Sequence, residues 1–210
     1  MAAQFAHLVP QDLHIHTTFS STDTALVPEQ TMELIARFRH AERTGVSDHL
    51  DCLKGGDFDG YARRLRALDL YVGLEISGMP WVKAAMGLNV DYYIYHCRDE
   101  SRDYAGAELL LSTDKPVIIA HPNALGTDLN RLPAECLVEI NNRYVWRGGL
   151  WTAVAAFRDR FRFVIGSDAH QPNWLNHTIA RQVVRELGLE ETLLFPVNLP
   201  SEKPLTSGPR

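Results

Sequence analysis

DLHIH, residues 12–16, is the stretch on which the fold turns. Strand alternation throws Asp12, His14 and His16 onto one side and Leu13 and Ile15 onto the other. Two imidazoles two apart on a strand can grip one ion. The same event recurs down the chain, each time as an apolar stretch, with β-branched or aromatic content, that stops at a metal-capable side chain. GVSDH ends at Asp48 and His49, YVGLEIS carries Glu75, and DYYIYH ends at His96. PVIIAH closes on His121, CLVEIN carries Glu139, and FRFVIGSDAH finishes with Asp168 and His170. Six of the nine histidines, with four carboxylates, thus stand where a short apolar run ends.

Seven strands are predicted, all polar at the C-terminal end. Between them lie helical segments at 28–38, 61–70, 80–88, 105–111, 150–161 and 178–187, the first with Pro28 suited to a first-turn position. The segment 129–136 holds Pro133 and is given at most a turn or two. Strands alternating with helices argue for a parallel sheet. A doubly wound sheet gathers its ligands near one switch point, whereas polar groups contributed by most strands favour closure. The expected fold is therefore α/β, a distorted seven-stranded β/α barrel.

With 210 residues and 45% hydrophobic content, the chain can bury one full core and has little room for a second. No linker, repeat or low-complexity tract interrupts it, so residues 1–195 are expected to form one domain and 196–210, rich in Pro and polar residues, a tail. Cys52, Cys97 and Cys136 are odd in number and far apart, against a disulfide framework and for a reducing compartment. The N-terminus lacks a basic segment followed by an apolar core, and no apolar run nears membrane-spanning length, so a soluble cytoplasmic protein is expected. A formal net charge of −5 argues against broad electrostatic binding of nucleic acid.

Imidazoles and carboxylates without clustered thiolates suit Zn, Mn or Fe(II) in mixed N/O coordination, and the number of candidates predicts more than one ion. Taken singly, each residue also fits an ordinary buried hydrogen-bonding role. Their common placement is what argues for a site.

An ordered series runs from Asp12 to His170: HIH at 14–16, Asp23 nine positions after His14, SDH at 47–49, the Glu75 strand, His96, AHP at 120–122 and SDAH at 167–170. In this series the chain resembles the PHP (polymerase and histidinol phosphatase) family of metal-dependent phosphoesterases. The resemblance implies a trinuclear centre in which His14, His16, Glu75 and Asp168 hold one ion. Glu75 would bridge to a second ion completed by His96 and His121. Asp23, His49 and His170 would hold the third, at a place where some members carry histidine for Thr22 or Asp23. The implied nucleophile is a metal-activated hydroxide held by Glu75, Asp168, His14 and His16, and the implied substrate a small soluble phosphate ester.

Asp48 is expected to support a neighbouring ligand, as Asp12 also would. Glu139 is read as orienting a loop, not as a ligand. Arg98, Arg143 and Arg147 follow strands four and six and are candidates for contacting an anionic substrate. Lys54, in KGGDFDG, is a weaker one. Trp146 and Trp174 are plausible pocket walls, and Trp151 is grouped with them. His7, His40 and His177 lack a strand-end context and are read as surface or structural residues. Two other classes stay open: a metal-dependent amidohydrolase or deaminase, for which no strand-end lysine is present, and a non-catalytic PHP module.

Overall fold

The computed structural model describes residues 8–53, 57–147 and 151–197, with side chains for all of these but 151 and 152. Seven strands lie among them: Val9–Asp12 (β1), Ala41–Val46 (β2), Tyr71–Ile76 (β3), Tyr92–Tyr95 (β4), Val117–Ile119 (β5), Leu137–Asn141 (β6) and Arg162–Gly166 (β7). They pair in chain order, every neighbour parallel. Beyond β1 and β7 the chain continues as a seam: Ile15 bridges Ala169, Asp168 N donates to His14 O at 2.8 Å, and His16 N donates to Ala169 O at 2.9 Å. The sheet is thereby a nearly closed all-parallel barrel with helices between its strands, an α/β barrel-like fold.

The helices are Met32–Arg37 (α1), Phe58–Ala67 (α2), Met79–Met86 (α3), Ser101–Leu111 (α4), Pro122–Leu125 (α5), Trp151–Val154 (α6) and Thr178–Leu187 (α7). Pro28 does not open α1. Thr31 is its cap and accepts from Leu34 N at 3.1 Å, satisfying an amide the helix cannot. The helix expected over 150–161 is a short α6 continued by a 3-10 turn, Ala155–Phe157. No helix among the described residues is long and apolar enough to cross a membrane.

Alternation divides the core in two. Tyr92 and Ile94 join Leu13, Ile118, Leu137 and Val164 inside the barrel. Tyr93 and Tyr95 face outward and pack with Val72, Leu74, Ile119 and Val138 beneath Leu65, Val82 and Leu110 of the helices. So few strands leave little interior room, and Tyr92 takes much of it: a Cβ on Gly45 or Gly73 would overlap its ring. Its hydroxyl donates to Leu13 O at 2.6 Å.

The side assignment read from DLHIH needs correction. Leu13 lies inside the barrel with Tyr92, whereas Asp12 turns away toward His40 and His177. Regular pairing stops at Asp12, whose Oδ1 accepts from the backbone amides of His14 and Ser167 at 3.2 and 3.1 Å. That carboxylate interrupts the pleat, so Leu13 and His14 both reach the interior while Ile15 packs outside. At the end of the described chain, Phe195 stacks on Tyr71 with centroids 4.3 Å apart, and Pro196 O accepts from Tyr71 Oη at 2.9 Å. Residues 198–210 of the expected tail lie outside the described residues.

Candidate metal centre

Five strands deliver their polar groups one to a few residues past the end of regular pairing, where the backbone is free to turn inward, while Glu75 and Glu139 project from within β3 and β6 themselves. Two of these turns lie in the left-handed region, His121 at φ 28° and Asp168 at φ 54°. Such strain in a non-glycine residue persists only where the surroundings impose it. Here His121 N donates to Glu139 Oε2 at 2.8 Å, and Asp168 N is held in the seam.

Glu75 stands at the middle. Its Oε1 contacts His96 Nε2 and lies 3.4 Å from His14 Nε2 and 3.7 Å from His121 Nε2. Its Oε2 is 3.1 Å from both His16 Nε2 and His49 Nε2. Around it, three groups have ligand atoms close enough to share an ion: His14, His16 and Glu75; Glu75, His96 and His121; and His16, His49 and His170. Asp168 Oδ1 lies 3.6 Å from His16 Nε2, 3.8 Å from His14 Nε2 and 3.3 Å from His170 Nδ1. Asp23 Oδ2 is 2.7 Å from His170 Nε2 and 3.5 Å from His49 Nε2. All nine candidate ligands are therefore brought to one end of the barrel, and several buried His/Glu/Asp clusters there could hold metal ions.

The donor chemistry fits such ions. His14 Nε2, His16 Nε2 and His96 Nε2 are buried without a hydrogen-bond partner among the described residues, although each lies near a carboxylate. Buried polar atoms are seldom left so. Burial opposes the Glu75 carboxylate, yet His49, His96, His14 and His16 hold it well below the usual range. Burial likewise opposes charge on His14, but Glu139, Glu75 and Asp168 raise it well above the ordinary imidazole value. His49 is raised to about 9, against burial, by Glu75 and Asp23. Burial and His170 keep His16 well below its ordinary value, in the neutral form that ligates. The centre is thus a pocket of carboxylates calling for positive charge.

A supporting layer fixes these rings. Glu139 Oε1 accepts from His14 Nδ1 at 2.7 Å, and Asn141 Nδ2 donates to Glu139 Oε2 at 2.9 Å. Glu139 therefore orients a candidate ligand ring directly, beyond the loop role read from the sequence. Asp48 touches no histidine ring: it accepts from Thr17 N and Thr17 Oγ1 at 2.6 Å and from Ser20 Oγ at 2.7 Å. Ser20 Oγ in turn accepts from His49 N at 2.9 Å, so Asp48 acts on the site through that loop.

Arg143 points at the centre, with Nη1 3.5 Å from Asp168 Oδ1 and 3.3 Å from His170 Nδ1, and its guanidinium lies against Trp174 and Tyr144. A cavity of about 360 Å³ lies beside it, lined by Asn142, Arg143, Trp146, Arg147, Ser167, Trp174 and Asn176. Arg98 is exposed, its backbone amide held by Asp103 Oδ2 at 3.1 Å. Lys54 and His7 lie outside the described residues, as does the Trp151 side chain. Tyr144, whose ring meets His121 edge-on at 4.9 Å, was not singled out from the sequence, and the run VEINNRY gives no periodic signal for it.

No protein-family model matches this chain, and no curated protein matches it significantly.

Proposed function

We propose that this chain is a metal-dependent phosphoesterase of the PHP kind, holding two to three Zn, Mn or Fe ions and hydrolysing a small soluble phosphate ester in the cytoplasm. The observation that carries this reading is the environment of Glu75, with five imidazoles around its two oxygens, as a carboxylate bridging adjacent ions requires. His14, His16, Glu75 and Asp168 would hold one ion, His96 and His121 a second with Glu75, and Asp23, His49 and His170 a third. Divalent ions so bound supply Lewis acidity and bring the pKa of water toward neutrality.

The chain's own groups do the rest. Glu139 keeps the His14 proton on Nδ1 and leaves Nε2 to face Glu75. Arg143 is placed to pair with phosphoryl oxygens at the mouth, its guanidinium oriented by the Trp174 and Tyr144 rings. Trp146 and Trp174 form the walls of the cavity where the leaving group would lie. This cationic rim favours an anionic ester over the neutral amides of an amidohydrolase.

The test is hydrolysis of p-nitrophenyl phosphate and bis-p-nitrophenyl phosphate by protein reconstituted with Mn(II) or Zn(II), with an amide panel beside them. Metal-dependent phosphoester cleavage is expected. Amide turnover alone would support the amidohydrolase reading, and inactivity with ions bound would support a non-catalytic module.

A further inference from the structure

Outside the centre, on the other side of β1, three metal-capable groups converge. Asp12 ends β1, His40 immediately precedes β2, and His177 stands at the N-terminus of α7. His40 Nε2 lies 2.7 Å and His177 Nε2 3.1 Å from the same oxygen, Asp12 Oδ2. The two rings stand at 88° with centroids 5.9 Å apart. Asp12 and His177 are almost wholly buried.

Two features separate this cluster from an ordinary hydrogen-bonded triad. Asp12 divides its oxygens, Oδ1 accepting from the amides of His14 and Ser167 while Oδ2 meets His40 Nε2 in a hydrogen bond and lies 3.1 Å from His177 Nε2. And neither ring nitrogen of buried His177 has a hydrogen-bond partner among the described residues, although Nε2 lies 3.1 Å from Asp12 Oδ2. Roughly perpendicular imidazoles around one carboxylate oxygen suit corners of a tetrahedral site for a borderline ion such as Zn(II), whose His and carboxylate ligands stand about 2.0–2.2 Å from the metal. Water can complete the coordination from the side of His40, whose ring is the partly exposed member.

We propose that Asp12, His40 and His177 bind one further divalent ion, of the zinc class, at a structural site separate from the main centre. The ion would clamp β1 to the entry of β2 and to α7. Through Asp12 Oδ1 it would also steady the backbone that carries His14 and Ser167. This inference does not depend on which reaction the main centre performs.

The experiment is native mass spectrometry of metal-free protein titrated with Zn(II), comparing wild type, Glu75→Gln, His40→Ala and the Glu75→Gln/His40→Ala double variant. His40→Ala is expected to bind one ion fewer than wild type, and the double variant one ion fewer than Glu75→Gln. His40→Ala with the wild-type complement, or a double variant that binds as Glu75→Gln does, would overturn the site. Should His40→Ala fold poorly, nitrogen NMR of wild-type rings decides: Zn(II) is expected to shift the His40 and His177 Nε2 signals, and unmoved signals at saturation would reject the proposal.

Discussion

Glu139 Oε1 and His14 Nδ1, 125 positions apart in sequence, meet at 2.7 Å in the barrel interior. The same carboxylate receives the amide of His121, so one side chain orients two strand ends that carry candidate ligands. Glu139→Ala removes both partners, and losses at such supporting positions weaken metal affinity on the order of 10–100-fold. Titration with a competing chelator measures this; unchanged affinity would deny Glu139 its role.

Gly166 marks how tightly that pair is enclosed. A Cβ there would overlap Glu139 Oε1 and press on His14 Cβ. Gly166→Ala is expected to cost about 1–3 kcal/mol of stability, as overpacking does, and to lower metal affinity as well. Denaturant unfolding with and without metal reads the two effects separately. A fully stable variant with normal affinity would contradict the packing described.

Under the proposed function, Arg143 acts on substrate more than on metal. Charge-assisted hydrogen bonds are worth about 1.5–3 kcal/mol, so Arg143→Ala should raise KM for an anionic ester on the order of 10–100-fold. Bound metal should change little, and Arg143→Lys should recover part of the loss. Steady-state kinetics paired with metal analysis checks both statements.

The three cysteines should react unequally. Burial pushes the Cys97 and Cys136 thiols up to about 12, while Cys52 is only partly buried and accepts a hydrogen bond from Thr22 Oγ1 at 2.6 Å. A maleimide at neutral pH is expected to label Cys52 alone in the folded protein and all three in denaturant. Intact-mass measurement checks this, and native labelling of Cys97 or Cys136 would contradict their enclosure.

Much of the barrel was legible because its strands are marked twice, by apolar composition and by the polar group that ends each run. YYIY is clear even as to side, with alternate tyrosines inside and outside. The first half of β2 was not, since Glu42, Arg43 and Thr44 look like loop. Arg43 is satisfied by the distant carbonyls of Pro10 and Phe195, which no local pattern reveals. Helix α5 was missed because four residues, Pro122–Leu125, are too few to show a period. Eight of the nine candidate ligands were found because each sits at or near a strand end, and Asp23, in a turn between β1 and α1, only through the ordered series it completes. His40 and His177 were not paired with Asp12 because one precedes a strand and the other a helix, positions without that signal.

The central claim is that groups remote in sequence cage several cations around Glu75. Anomalous diffraction from crystals grown with Mn(II) or Zn(II) tests it most directly. The account predicts separate peaks within bonding distance of the His14, His16, Glu75 and Asp168 group and of the Glu75, His96 and His121 group. A map with no peak at Glu75, from crystals saturated with either ion, would contradict it.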